Sequence, residues 1–126
     1  MDIIISNSVK DPIYQQIIKQ IKDLVLTGEL SEGDSLPSIR QLAKDLQVSV
    51  ITTKRAYEEL ESDGFIVSIV GKGSFIASQN QELLKERRLK IIEEKLIEII
   101  EESKLVHLSK EELMEMILIL YGDDLK

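Results

Sequence analysis

Residues 36–57 read Leu36-Pro37-Ser38-Ile39-Arg40-Gln41-Leu42-Ala43-Lys44-Asp45-Leu46-Gln47-Val48-Ser49-Val50-Ile51-Thr52-Thr53-Lys54-Arg55-Ala56-Tyr57. Ile39, Leu42, Ala43 and Leu46 recur at helical spacing and predict a helix from about Ser38 to Leu46. Gln47-Val48-Ser49 leaves room only for a tight turn. A further helix follows from about Val50 to Asp63, with Ala56 and Leu60 inward, Tyr57 beside them and Gly64 at its end. Two short helices joined by so tight a turn form a helix-turn-helix.

Downstream, Phe65-Ile66-Val67-Ser68-Ile69 and Ser74-Phe75-Ile76-Ala77 read as strands. Val70-Gly71-Lys72-Gly73 between them is a turn, so the pair makes a hairpin, the wing. Upstream, Ile13, Ile17, Ile21 and Leu24 mark a first helix, with Asp11 as its cap and Pro12 at its first position. Gly28 closes that helix, and residues 29–37 form a loop with space for one short strand at Ser35-Leu36.

Beyond the wing the composition changes. Gln79-Asn80 reads as a linker, and a long charged helix runs from Gln81 to about Lys104. Leu89, Ile92, Leu96 and Ile99 alternate spacings of three and four, a coiled-coil-like seam that Ile91, Ile97 and Ile100 widen. His107-Leu108 is a turn, and Ser109 with Glu112 has the capping-box pattern. A short helix then carries Leu113, Ile117 and Leu120 on one face, with Gly122 after it. The fold class expected is mostly α with a small β-hairpin wing. A winged helix-turn-helix occupies residues 1–78 and a two-helix dimerisation region residues 79–126. Two helices cannot bury apolar surface on both sides by themselves. Residues 81–121 therefore predict a homodimer, held by Leu89, Ile92, Leu96, Ile99, Ile100, Leu113, Ile117 and Leu120.

Composition narrows the function. There is no cysteine and a single histidine, His107, an exposed turn residue by its position. Disulfides, thiolate metal sites and a histidine metal cluster within one chain are excluded, and no cofactor is expected. The glutamates have no His, Cys or Ser partner arranged for catalysis, so an enzyme is not expected. No basic-then-apolar leader and no apolar run of about 18 residues is present, which predicts a cytoplasmic protein without membrane contact. The net charge of −7 counts against nucleic acid if taken alone. Yet between Leu36 and Tyr57 the charged residues are Arg40, Lys44, Asp45, Lys54 and Arg55, while acids gather at Glu58, Glu59, Glu61 and Asp63 and in the last third. An acidic body behind a basic face repels DNA except at one surface.

Residues 36–43, then Val48-Ser49, Thr52, Ala56-Tyr57 and Leu60, Gly64-Phe65-Ile66 and Gly71-Lys72-Gly73-Ser74-Phe75-Ile76, form an ordered set. With the upstream Pro12-Ile13-Tyr14-Gln15-Gln16-Ile17, it resembles the GntR family of bacterial regulators over about residues 10–78. The short two-helix tail looks like the YtrA subfamily, whereas other subfamilies carry a larger effector-binding or aminotransferase-like domain. The resemblance implies a dimeric, usually repressing, operator-binding protein, often of transporter genes. It places Arg40 on DNA from the start of the second helix, Thr52 and Lys54 on the third, and Gly71 with Lys72 at the wing tip. One position departs from it: where the family commonly has Arg, this chain has Val50. Either Val50 packs on a thymine methyl, or the operator differs from the family's usual one.

The third helix enters the major groove with its N-terminal turn, where Ser49, Val50, Ile51, Thr52 and Thr53 are expected to face outward. Thr reaches phosphate or a base edge, and Val or Ile suits a thymine methyl, unless one of these packs under the wing. Ser38 and Arg40 suit a phosphate, the alternative for Arg40 being an ion pair with Asp34 or Asp45. Gly71 and Gly73 let backbone approach DNA around Lys72, though Gly-Lys-Gly alone is merely a turn. The partners expected are double-stranded operator DNA and a second copy of the chain, with a small-molecule effector left open because no polar cluster points to one. The rival class is a winged-helix protein-interaction module that does not touch DNA.

Overall fold

The computed structural model describes residues 1–122. Helix α1, Ile13–Thr27, begins without a side-chain cap, and Pro12 occupies the N-cap position. The expected Asp11 cap does not form; Pro12 sets the backbone turn, and its carbonyl accepts from Gln15 and Gln16 N–H at 3.0 and 3.1 Å. Ile17, Ile18, Ile21 and Val25 are the buried apolar residues of α1, so Leu24 is only half-buried beside the stripe. Gly28 ends the helix in the left-handed region at φ 85°.

Helices α2, Ile39–Leu46, and α3, Val50–Ser62, form the helix-turn-helix. Both are capped by serine. Ser38 Oγ accepts from Gln41 N–H, and Ser49 Oγ accepts from Thr52 N–H, each at 3.0 Å. Gln47 between the helices is left-handed at φ 58°, and its N–H returns to the Ala43 and Lys44 carbonyls. Leu42 from α2 meets Ala56, Tyr57 and Leu60 from α3 in a core shared with α1, and Ala43 is buried as well.

Strands β1, Ile66–Ile69, and β2, Gly73–Ile76, pair antiparallel with Ile66 opposite Ile76 and Ile69 opposite Gly73. Gly73 thus lies in the strand and not in the turn. Ile66 and Ile76 are buried beneath the sheet. The loop before α2 adds a short third edge, as its sequence allowed: Ser35 bridges Phe75, and Leu36 N–H donates to the Ser74 carbonyl at 2.9 Å.

The N-terminal residues are held by two glutamines of α1. Gln16 Nε2 donates to the Ser6 and Asp11 carbonyls, each at 3.0 Å, and its Oε1 accepts from Ser6 N–H at 2.9 Å. Gln20 makes the same amide-to-peptide pairing with Ile4, at 2.9 and 2.7 Å. These clamps hold Ile3 in the core.

Helix α4, Gln81–Leu105, and helix α5, Lys110–Tyr121, complete the described chain. Compact unit one is Met1–Leu84, and the second starts at Lys85. The division lies inside α4, six residues beyond the compositional change, because Leu84 packs against the N-terminal core. In the second unit, Ser103 donates to the Ile100 carbonyl at 2.7 Å and His107 is an exposed turn residue at φ 59°. Ser109 and Glu112 close a reciprocal capping box, whose hydrogen bonds hold the Glu112 carboxyl below its usual pKa. No described residue of α5 is buried within the single chain.

Candidate nucleic-acid interface

The burial of Thr53, Ala56, Tyr57 and Leu60 defines the inward side of α3. Thr53 is fully buried, and its hydroxyl donates to the Ser49 carbonyl at 3.1 Å. The expectation that Thr53 faces outward is therefore corrected: one turn below the cap, the helix has already rotated this position into the core. Val50 and Ile51 keep 47% and 80% of their surface exposed, so neither is sealed under the wing.

The capping geometry sorts the hydroxyls. Ser49 Oγ accepts from the Thr52 backbone and donates to Thr52 Oγ1 at 2.7 Å, so its own polar capacity is used locally. The half-exposed Thr52 hydroxyl accepts from Ser49 and keeps its proton to donate outward. Ser38 accepts from Gln41 N–H, which likewise leaves a hydroxyl proton at the start of α2. Neither α2 nor α3 carries an acid in its first turn, so the partial positive charge of each N-terminus is not cancelled there.

Arg40, Lys54 and Lys72 are exposed. Asp45 accepts from Gln41 Nε2 at 2.7 Å, and Asp34 accepts from Ser31 N–H at 2.8 Å. Among the described residues neither carboxylate pairs with Arg40. Arg55 behaves differently. Its guanidinium lies 3.8 Å from the Tyr14 ring centroid, donates to the Tyr14 hydroxyl at 3.1 Å and sits 3.8 Å from Glu59. Arg55 thus fastens α3 to α1 and belongs less to the basic face than its place in the sequence suggested.

One positioning contact spans too much sequence for local reading. Tyr57 Oη donates to the Pro37 carbonyl at 2.7 Å, tying the recognition helix to the residue just before the α2 cap. Burial raises the Tyr57 pKa well above its ordinary value, so the phenol stays a donor. A tyrosine on an inward stripe was the available signal, since a buried phenol needs a partner. At the wing, Lys72 N–H donates to the Ile69 carbonyl at 2.9 Å, and Gly71 takes φ 78° in open space.

A helix-turn-helix with an open N-terminal turn on its second helix, exposed cations and a glycine-flanked wing defines a DNA-binding transcription regulator. Residues 13–76 match the family of bacterial regulatory proteins described as gntR, and the chain belongs to that family. It is 37% identical over 106 residues to the HTH-type transcriptional repressor YtrA of Bacillus subtilis, covering 84% of this chain and 82% of the relative. A transcriptional regulator from Oenococcus oeni superposes with a TM-score of 0.73 at 30% identity, covering 94% of this chain and 98% of that one. The DNA-binding domain of AraR in complex with operator ORE1 matches with a TM-score of 0.52 at 25% identity, covering 61% of this chain and 94% of that one. The family is one of transcription regulators and not of enzymes.

Proposed function

We propose that two copies of the chain join through α4 and α5 and set two winged helix-turn-helix heads on a pseudo-palindromic operator, repressing the genes it controls. The observation that carries this reading is the surface of the second unit. Leu89, Ile92, Leu96, Ile99, Ile100, Ile117 and Leu120 are all exposed in the single chain, with Leu113 half-buried. So large an apolar surface calls for a partner, and a second copy supplies the same surface in return. Two recognition helices then stand roughly 34 Å apart, one DNA turn.

Within each head, Arg40, Lys54 and Lys72 supply phosphate attraction, with Ser38, Gly71 and Gly73 allowing close approach. Ser49, Val50 and Thr52 present the reading turn of α3, and Thr53 supports it from the core. The repressing sense follows the named relative, which is a transcriptional repressor. The protein acts in the cytoplasm, where its DNA is; no helix among the described residues is long and apolar enough to cross a membrane.

The test is an anisotropy titration onto the promoter of the chain's own operon against a scrambled duplex, at two salt concentrations. Tighter promoter binding that survives the higher salt is expected. Equal binding to both duplexes that disappears with salt would remove operator recognition and favour the protein-interaction reading.

A further inference from the structure

We propose that Ile51, with Val50 beside it, reads thymine C5-methyl groups in the major groove, so that each half-site carries thymine where α3 enters. The inference rests on α3 being the recognition helix and names what its first turn selects.

Three observations lead to it. Ile51 is 80% exposed and Val50 about half exposed, at the first two positions of α3, where the Ser49 cap makes no use of their side chains. At 3.6 residues per turn, Ile51 points about 200° round the helix from buried Thr53, directly away from the core. Lys54 lies four residues after Val50 and three after Ile51, on the same flank, so a cation that reaches phosphate borders the apolar pair. The pair is therefore continuous with the DNA-facing surface and is not a stray apolar residue on a solvated side.

The chemistry of the groove then names the ligand. Thymine alone among the four bases offers a methyl group in the major groove. Guanine, adenine and cytosine present donors and acceptors that would lose water against an aliphatic side chain without gaining a partner. A branched side chain stiff at χ1 has little freedom to lose on contact.

The experiment selects sites from a random-sequence duplex library with the full chain and with Ile51→Ser, then replaces each thymine of the enriched site by deoxyuridine. Ile51 is exposed, so the variant keeps the fold, and the deoxyuridine arm uses the unmodified protein. The expected result is an enriched thymine that Ile51→Ser no longer selects. Removing its methyl should weaken the unmodified protein about fourfold and the variant not at all. An enriched site whose deoxyuridine forms all bind equally well overturns this inference alone. A library in which no sequence is enriched overturns the DNA reading with it.

Discussion

Arg40 stands exposed near the start of α2 while its acidic neighbours Asp34 and Asp45 accept hydrogen bonds from elsewhere. Its fork of donors is thus available to a phosphate. Arg40→Ala should weaken operator binding by about tenfold or more and lower the salt slope of log K by about one, with the thermal midpoint unchanged. Unchanged affinity and slope in a salt-series titration would take Arg40 out of the interface. Tyr57 makes a different kind of prediction, because its work is internal. Tyr57→Phe removes the bond to the Pro37 carbonyl and should cost about 1 kcal/mol of stability. Its pKa is raised in the fold above the ordinary 10.0, so the folded chain holds a proton that the unfolded chain releases. That stability is fully present below pH 10.0 and is lost as pH rises beyond it. Denaturant unfolding between pH 9 and 11 should therefore fall more steeply for the unsubstituted chain than for Tyr57→Phe; parallel curves would dismiss the coupling.

At the scale of elements, punctuation and periodicity made most of the chain readable. Ser109 caps the helix that follows it, Gly28 and Gly122 end theirs in the left-handed region, and Ser35 makes a single bridge to Phe75 where its loop had space for a short strand. The readings that changed concern rotation and long-range partners. Thr53 belongs to the buried side because α3 turns inward at its fourth residue, which a run of five polar and β-branched residues does not reveal. Arg55 finds Tyr14 across 41 residues, and Gln20 finds Ile4 across 16, separations at which no local pattern operates. The inward side of α3 was legible at Ala56 and Leu60, whereas the assignment of Thr53 needed the core to be in place. The turn between α2 and α3 offers a test of local strain. Gln47 adopts φ 58°, a conformation that costs most L-residues about 1–2 kcal/mol and glycine nothing. After the greater entropy of glycine in the unfolded chain is subtracted, Gln47→Gly should stabilise the fold by about 0.5–1 kcal/mol. A lower midpoint in thermal melting would mean that the Gln47 side chain holds the turn in a way its backbone does not show.

For the whole molecule, the net charge of −7 and the exposed apolar tail belong to one arrangement. An acidic chain has weak nonspecific attraction to DNA, so a single head with few cations holds an operator poorly. Two linked heads change this, because once the first is bound the second binds as an intramolecular event and the affinities compound. In the proposed dimer, the apolar surface of α4 and α5 serves recognition by linking the two heads. Leu96 and Ile99 form the C-terminal half of the α4 seam and are exposed in the single chain, so charging them leaves each winged head intact. The double variant Leu96→Glu, Ile99→Glu should sediment as one chain of 14.3 kDa at micromolar concentration. Its affinity for a full operator should fall by about a hundredfold or more, towards that for an isolated half-site. The unsubstituted chain should bind the full operator far more tightly than the half-site, and the variant should bind the two alike. A variant that stays dimeric would place the shared surface elsewhere on the tail. A monomeric variant that keeps full operator affinity would mean that each head recognises its site alone, and that the palindrome has no role in holding the protein.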